Sequence, residues 1–397
     1  MTSARFDPQI SRQILKSLDR FIAERLDPAI AEMDGGNRFP RALFEAFAEL
    51  GLLQLWVPED QGGLGPAFAL TLTIVERLAR SSPAFATGVA NFSDCLSPIL
   101  GGGDAALKER LLPALMGGAK VPAFCLSEPG GGSDVAAMAA TALATPDGYL
   151  LRGRKCWITN AEAADIFVVF AKTDVGLGHR GISAFVVPRD AAGLTVMPAE
   201  DLLSLRGSPV SEVVFSDVLV GRDMRLGSEG DGFGLAMRSL DAARLQIAAI
   251  CLGLAARAIE TIVAFTADRR SFGEPLIKHQ GIQFKLADLV TGLAEKRALF
   301  HAAVQAHGDA GQASRVRLYS AMTKLACSDL AMQAASEAVQ LLGAQGLTKA
   351  YAVERLFRDA KALQILEGAN EIQRWLIGRS IERHLDFVQE DSLLVTA

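Results

Sequence analysis

The chain has 397 residues, of which 50% are hydrophobic and 21% are charged, and its mean hydropathy is +0.24. This length and composition exclude an intrinsically disordered chain and predict two or three packed units with a large buried core. The formal net charge of -5 and the absence of Lys/Arg-rich runs argue against nucleic acid as a partner, because a nucleic-acid binder needs positive charge to displace counterions.

The apolar stretches, the N-terminal segment and the cysteines bear on where the protein is located. Charges interrupt every apolar stretch before the roughly 20 residues that cross a bilayer, so no membrane span is predicted. Residues 1–21 mix charges in a helical pattern and lack the features of a signal peptide, so we expect mature sequence there. The five cysteines are scattered without metal-ligand spacing, so no metal site is predicted. They suggest buried free thiols in a reducing compartment, and we expect a cytoplasmic protein.

The first third of the chain has helical periodicity. Apolar residues recur at steps of three and four over residues 10–22. Further helices are predicted over residues 40–50, 66–78 and 104–112, each starting at a proline or an acidic cap. Residues 1–119 are therefore predicted to form an N-terminal α-helical domain.

The middle third has short runs rich in β-branched and aromatic residues, at 149–151, 166–170, 182–187 and 213–215. Residues 146–148, Pro-Asp-Gly, predict a turn between two of the strands, which favours hairpins over a parallel Rossmann sheet. We expect a middle antiparallel β-domain over residues 120–228.

Long helical segments with few prolines follow, at residues 233–269, 280–307, 313–342 and 372–385. Antiparallel helices of this length form bundles. The fold class predicted is α+β: an N-terminal helical domain, a middle β-domain, and a C-terminal four-helix bundle over residues 229–397.

Two segments in the β-domain are candidate cofactor contacts. The glycine-rich segment 128–134 is equally typical of a turn after a strand, but it would also let a ligand approach the backbone near the hydroxyls of Ser127 and Ser133. Trp157 is compatible with a core position. However, regular strand alternation places Trp157 and Thr159 on one face, where an aromatic plane and a hydroxyl could meet a flavin ring.

Three later segments are also ambiguous. Arg269, with a serine two residues on, suits either the end of a helix or a pyrophosphate, and His279 is as compatible with a structural role as with a catalytic one. Residues 340–346 are typical of a helix that ends in a glycine cap. Glu367 is compatible with a surface turn, but it follows an apolar run, where desolvation would raise the pKa of the carboxyl and make it a stronger base.

Taken together, the order and separation of these motifs resemble the acyl-CoA dehydrogenases over the whole chain. The resemblance rests on residues 125–134, 157–160, 269–272, 342–343 and 366–374. It implies an FAD-dependent enzyme of fatty acid metabolism that oxidises an acyl-CoA thioester. It also implies a homotetramer, assembled as a dimer of dimers.

The resemblance implies a set of FAD contacts along the chain. The expected residues are Phe124, Leu126, Ser127, Gly132, Ser133, Trp157, Ile158, Thr159, Arg269, Ser271, Phe272, His279, Gln280, Ala369 and Glu371, with Gln340, Leu341, Gly343 and Ala344 of a neighbouring subunit.

The resemblance also assigns the catalytic and substrate residues. Glu367 matches the catalytic glutamate, which takes the α-proton while the β-hydride leaves for flavin N5. The substrate contacts implied are Ser133, Asp241, Arg244 and Gly368. In some relatives the base lies at the position of Ala243. Alanine cannot act as a base, so Glu367 is the only candidate at either of these two positions.

Three hypotheses remain open from the sequence. The first is an acyl-CoA dehydrogenase that passes electrons to an electron-transfer flavoprotein or another acceptor. The second is a biosynthetic dehydrogenase or oxidase that acts on an acyl-carrier-protein thioester. The third is a catalytically silent helical scaffold, against which the joint presence of Glu367, Trp157 and Thr159 argues.

Overall fold

The computed structural model describes residues 7–308 and 313–381, and its elements run in the order helices, sheet, helices. The N-terminal helices are α1 (Pro8–Phe21), α2 (Asp27–Gly36), α3 (Arg41–Glu49), α4 (Phe68–Ser81), α5 (Pro83–Gly102) and α6 (Ala105–Met116). A π-helical turn, Ile22–Leu26, joins α1 to α2. The first six residues of the predicted N-terminal domain lie outside the described residues.

Local capping explains where α6 begins. The side chain of Asp104 accepts a hydrogen bond from the Leu107 N–H at 2.8 Å, as predicted for an acidic cap. The helix runs to Met116 rather than to residue 112. The sequence did not predict α5, because nearly all of its residues are buried and it has no polar face to produce a periodic pattern.

The middle of the chain forms an eight-stranded sheet with the order β6-β7-β3-β2-β4-β5-β8 and with β1 paired to β4. The strands are β1 (Pro122–Cys125), β2 (Thr141–Thr145), β3 (Gly148–Thr159), β4 (Ile166–Lys172), β5 (Ile182–Pro188), β6 (Leu194–Val196), β7 (Val210–Val220) and β8 (Arg225–Leu226). The predicted hairpin is β2-β3, with Thr145 opposite Gly148. Most pairs are antiparallel as predicted, but β4 pairs in parallel with β1 and, at Lys172 opposite Thr141, with β2.

The C-terminal part begins with α7 (Gly232–Asp268), which leads through a small hairpin, β9 (Arg270–Ser271) and β10 (Glu274–Pro275), into α8 (Gln280–His307). The chain continues through α9 (Ala313–Leu342), α10 (Val353–Leu363) and α11 (Asn370–Ser380). The predicted extension of the last helix to residue 385 lies outside the described residues, as does the end of the predicted C-terminal domain.

The central helix of the fold is α7. By length and composition alone it could cross a membrane, but 72% of its apolar window is buried inside the protein. It packs against α4, α5, α8 and α9. Burial among these helices explains its nearly continuous apolar sequence. This helix therefore links the N-terminal helices to the C-terminal bundle in one core.

The sheet carries a second core of its own, built around Tyr149, Phe167 and Phe185. The change from helix to sheet lies between Met116 and Pro122, and the change back lies between Leu226 and Gly232. All five cysteines are free, and four of them are buried.

Candidate active site

A cavity of about 540 Å³ opens where the sheet, α5, α7 and α11 meet. The sheet side contributes Phe124, Leu126, Ser127, Gly132, Ser133, Asp134, Val135, Ala136, Trp157, Ile158 and Thr159. The helical side contributes Asn91, Phe233, Met237, Leu240, Asp241, Arg244, Arg317, Glu367, Gly368, Ile372, Trp375, Leu376, Arg379 and Ser380. The structure thus brings the predicted base, the predicted substrate contacts and the sheet part of the predicted cofactor contacts to one cavity.

A buried ion pair fixes the start of the glycine-rich segment. Lys155 is fully buried on β3, and its Nζ donates to Glu128 at 2.7 Å and to the Leu126 carbonyl at 3.0 Å. Glu128 also accepts the N–H groups of Ala139 and Ala140, so both ends of the loop are tied to one carboxylate. The exposed glycines between them are left free to approach a ligand.

Trp157 lies on a β-bulge rather than on a regular strand. The register between β3 and β7 shifts between Lys155 and Ile158, and Trp157 has a φ of 58°. The alternation predicted from the sequence would place Lys155 on the same face as Trp157, yet Lys155 is buried and Trp157 is 62% exposed. The bulge turns the indole out, and Trp157 and Thr159 still line the same cavity.

The predicted base lies on the short connection between α10 and α11. Glu367 has a φ of 51°, a left-handed conformation that costs a non-glycine residue free energy, and Gly368 follows with a φ of 89°. The side chain of Gln373 donates to the Gly368 carbonyl at 2.8 Å. The φ of 89° at Gly368 is one that other residues rarely adopt, and a Cβ there would also lie 2.6 Å from the side-chain amide nitrogen of Gln373, so this turn favours glycine.

Lys324 on α9 also binds the connection between α10 and α11. It is fully buried, and its Nζ donates to the Gly368 carbonyl at 3.0 Å, to the Gln364 carbonyl at 3.2 Å and to Asn370 Oδ1 at 2.9 Å. Burial lowers the pKa of Lys324 from 10.5 to about 8. A single ammonium therefore bridges the two ends of the segment that carries Glu367.

The burial of Glu367 makes its carboxylate a stronger base than usual. Burial raises the pKa of Glu367, and the positive charges of Arg244 and Lys324 offset part of that rise. A second carboxyl, that of Asp94 on α5, lies near enough to interact. Burial, with the charge of Glu367 added to it, raises the pKa of Asp94 well above its ordinary value.

Asp241 and Arg244 form an ion pair on one turn of α7, at the edge of the cavity. Both are buried, and Arg317 on α9 reaches Asp241 at 3.7 Å. Their position on the cavity wall agrees with a contact to a polar part of a substrate. The pair holds the Arg244 guanidinium in place near Glu367.

The other predicted FAD contacts do not line this cavity. Arg269, Ser271, Phe272, His279 and Gln280 lie on and beside the β9-β10 hairpin, where His279 Nε2 bonds the Ser271 carbonyl at 3.1 Å and Phe272 is 96% exposed. Gln340 and Leu341 lie in the last turn of α9, and Gly343 follows the helix in a left-handed cap with a φ of 62°, which confirms the predicted helix end. Ala344 lies in the next turn. Ala369 and Glu371 flank cavity residues without lining the cavity themselves.

The sequence did not predict several residues at the site. Asn91 and Asp94 lie on α5, and Arg317 and Lys324 lie on α9, all far along the chain from Glu367. Asp94 alone had a recognisable sign, since it is the one charged residue in the apolar stretch 83–102.

Comparisons with known proteins place this geometry in context. Three family models match: "Acyl-CoA dehydrogenase, N-terminal domain" over residues 9–119, "Acyl-CoA dehydrogenase, middle domain" over residues 123–218 and "Acyl-CoA dehydrogenase, C-terminal domain" over residues 230–382. The chain is 40% identical over 368 residues to the mitochondrial short-chain specific acyl-CoA dehydrogenase of Sus scrofa, covering 92% of this chain and 88% of that one.

Solved structures are similar over nearly the full length. Butyryl-CoA dehydrogenase from Megasphaera elsdenii is 35% identical, with a TM-score of 0.90, over 96% of this chain and 100% of that one. The chain of PigA, in a structure with FAD and proline, is 27% identical in sequence to this chain. The two match with a TM-score of 0.88 over 96% of this chain and 99% of that one.

Proposed function

This chain belongs to the acyl-CoA dehydrogenase family of FAD-dependent enzymes, and from that premise we propose that it oxidises a short-chain acyl-CoA between Cα and Cβ with Glu367 as the base. The observation that carries the proposal is the shared cavity. Glu367 lines it from the helical side, while Trp157 and Thr159 line it from the sheet side. The short-chain preference is supported by the pig relative and by the butyryl-CoA dehydrogenase structure.

The sheet wall of the cavity fits a flavin. Trp157 presents a large exposed aromatic surface to the cavity, and the hydroxyls of Ser127, Ser133 and Thr159 line the same wall. A planar ring system would cover the indole, and hydroxyls are suitable partners for its polar edge. A Cβ at Gly132 would meet no backbone atom within 4 Å, so the loop leaves space for the cofactor chain.

In the proposed mechanism Glu367 removes the α-proton of the thioester. That proton is weakly acidic. The raised pKa of Glu367 is useful because it brings the pKa of the base closer to the pKa of the proton that it must remove. When bound, FAD supplies the acceptor for the hydride that leaves Cβ. The backbone N–H of Glu367 is the protein donor expected to bond the thioester carbonyl as negative charge develops there.

Arg244 and Lys324 have a separate part in this proposal. Their charges favour the ionised form of Glu367 and offset part of the effect of its burial on its pKa. Asp241 and Arg244 would also contact the pantetheine or acyl portion of the substrate. Both are already held rigidly on α7, so little ordering is needed when the substrate binds.

The remaining FAD contacts and the assembly belong to the same proposal. Residues 269–280 and 340–344 would bind the pyrophosphate and adenosine parts, the latter set from a neighbouring subunit of a homotetramer. The exposure of Phe272 supports a contact with another chain at that hairpin. Electrons would pass to an electron-transfer flavoprotein or another acceptor.

The test is an anaerobic titration of the purified protein with butyryl-CoA, following the oxidised flavin band. We expect the wild-type band to bleach and the Glu367→Gln variant to keep FAD but fail to bleach, because the amide keeps the shape and loses the base. Glu295→Gln, on the exposed face of α8, is the control and should bleach normally. Normal bleaching in Glu367→Gln would remove the base assignment. Bleaching only by an acyl-carrier-protein thioester would favour the biosynthetic alternative.

A further inference from the structure

A carboxylate on α9 contacts both ends of the connection that carries Glu367. Asp329 Oδ1 accepts a hydrogen bond from the side-chain amide of Gln364 at 2.7 Å and from that of Asn370 at 2.8 Å. Gln364 directly follows α10, and Asn370 is the first residue of α11. The two donors therefore lie on either side of Glu367 in the chain, and one oxygen atom of α9 binds both of them.

Asn370 binds α9 through both polar atoms of its side chain. Its Oδ1 accepts hydrogen bonds from Lys324 Nζ at 2.9 Å and from the Ser328 hydroxyl at 3.0 Å, while its Nδ2 donates to Asp329. Asn370 is 4% exposed, so these partners replace water. Because two donors face Oδ1 and an acceptor faces Nδ2, the amide has one favourable orientation. The start of α11 is thereby fixed against α9.

The connection itself is a strained turn whose ends are joined. The Asn370 N–H donates to the Gln364 carbonyl at 3.0 Å, and between them Glu367 has the left-handed φ of 51°. The N-cap of α11 is Ala369, which offers no side-chain acceptor to the first turn of the helix. A turn of this kind can relax when its ends are released, and its relaxation would move the Glu367 side chain.

The contacts of Asp329 affect this turn more than they affect the rest of the fold. The side chain of Asp329 is 42% exposed, and its second oxygen pairs with Arg374 at 3.1 Å. An exposed ion pair adds little to the free energy of unfolding. Removal of the Asp329 carboxylate should therefore leave the folded core intact and release the two amides that flank Glu367.

We propose that Asp329 is a positioning residue: through Gln364 and Asn370 it holds the connection in the conformation that directs the Glu367 carboxylate at the α-carbon of the substrate. The inference rests on the proposed function, since it takes Glu367 to be the base. Asp329 is not among the residues that line the cavity, so it acts through the connection and not by contact with the substrate. A displacement of about 1 Å can cost about a hundredfold in rate, so the chemical step is sensitive to this support.

The experiment separates the rate of the chemical step from binding. Flavin reduction by saturating butyryl-CoA is followed after rapid anaerobic mixing, and Asp329→Ala should slow it by about tenfold to a hundredfold with the FAD content unchanged. The dissociation constant of butyryl-CoA, measured in the Glu367→Gln background, should change by less than about twofold when Asp329→Ala is added. Asp329→Asn keeps an acceptor oxygen for Gln364 and Asn370 and should recover most of the rate. Glu337→Gln, which removes a carboxylate elsewhere on α9, is the control and should react at the wild-type rate.

A wild-type rate of flavin reduction in Asp329→Ala would overturn the inference. A slower rate accompanied by lost FAD or by weaker butyryl-CoA binding would also overturn it, because either would show a role in the fold or in binding. Should Asp329→Ala fold poorly, Gln364→Met removes one of the two donors instead and should slow the reduction with FAD and binding unchanged.

Hydrogen exchange distinguishes a failure of this inference from a failure of the proposed function. If butyryl-CoA does not reduce the wild-type flavin, the proposed function fails. The exchange of the backbone amides of residues 364–374 then decides whether Asp329 holds the connection. Faster exchange in Asp329→Ala than in the wild type would uphold the inference, and equal exchange would overturn it.

Discussion

Replacing Lys324 with methionine should both destabilise the protein and change the pH dependence of its chemistry. The substitution keeps the length of the side chain and removes the ammonium that bonds the Gln364 and Gly368 carbonyls and Asn370 Oδ1. Each buried acceptor left without its donor costs about 1–3 kcal/mol. Against this, the lowering of the Lys324 pKa to about 8 means that burying the cation already costs the wild type about 3 kcal/mol. The net loss of stability expected at pH 7 is therefore about 3 kcal/mol.

The loss should depend on pH with a definite sign. The folded pKa of Lys324 is below its ordinary value of 10.5, so the unfolded chain holds more protons between about pH 8 and pH 10.5. The free energy of unfolding that Lys324 contributes is therefore full above about pH 10.5 and is lost as pH falls through 8. The difference in unfolding free energy between wild type and Lys324→Met should therefore widen as pH rises from 8 toward 10.

The chemical effect follows from the charge. Lys324 lowers the pKa of Glu367, so its removal should move the rising limb of the plot of kcat/KM against pH to higher pH. Urea denaturation and stopped-flow flavin reduction across pH 5–10 would measure both effects. Lys285→Met, which removes an exposed ion pair with Glu337, is the control and should change stability by less than about 1 kcal/mol. A stability loss with an unmoved pH profile would refute the electrostatic part of the reasoning.

Three further substitutions test other parts of the structure. Asp359 is buried and accepts a hydrogen bond from the Leu205 N–H, and burial raises the pKa of Asp359 to about 6. The free energy of unfolding that Asp359 contributes is therefore full below about pH 4 and is lost as pH rises through 6. In denaturation experiments Asp359→Asn should be more stable than wild type by up to about 3 kcal/mol above pH 6 and equally stable near pH 4. A difference in unfolding free energy that does not change with pH would contradict this. Lys155→Met leaves Glu128 buried without its cation and should cost about 3–5 kcal/mol of unfolding free energy, with weaker retention of FAD; a cost below about 1 kcal/mol would show that the pair is dispensable. Arg269→Ala should release FAD faster on dilution, followed by flavin fluorescence, and unchanged occupancy would remove Arg269 from the cofactor site.

The sequence predicted elements whose apolar pattern has a clear period. The predicted limits of α8 coincide with the observed Gln280–His307 because one face of that helix is exposed and its ends carry recognisable boundary residues. The buried helix α5 has no such pattern and was missed, and with it Asp94. The bulge at Trp157 was missed as well, because a single extra residue in β3 depends on pairing with β7 and leaves no local pattern.

At the site, the sequence predicted residues in recognisable motifs, and it missed those that act through contacts between distant helices. Glu367 was predicted from its neighbours in the chain. Lys324 reaches the same connection from α9, 44 residues away from Gly368, and no spacing rule relates the two. Such a residue becomes visible only when the bundle is assembled.

The cavity takes its walls from α5, the sheet, α7 and α11, elements separated by most of the chain. Contacts so distant in sequence form late, because the loops between them must close first. A partly folded chain in which α11 has not docked would lack Glu367 and the part of the cavity wall that α11 supplies. A ligand that binds this cavity binds only the completely docked chain, so by mass action FAD would stabilise all three parts at once, and its loss would lower their shared resistance to unfolding in a single step.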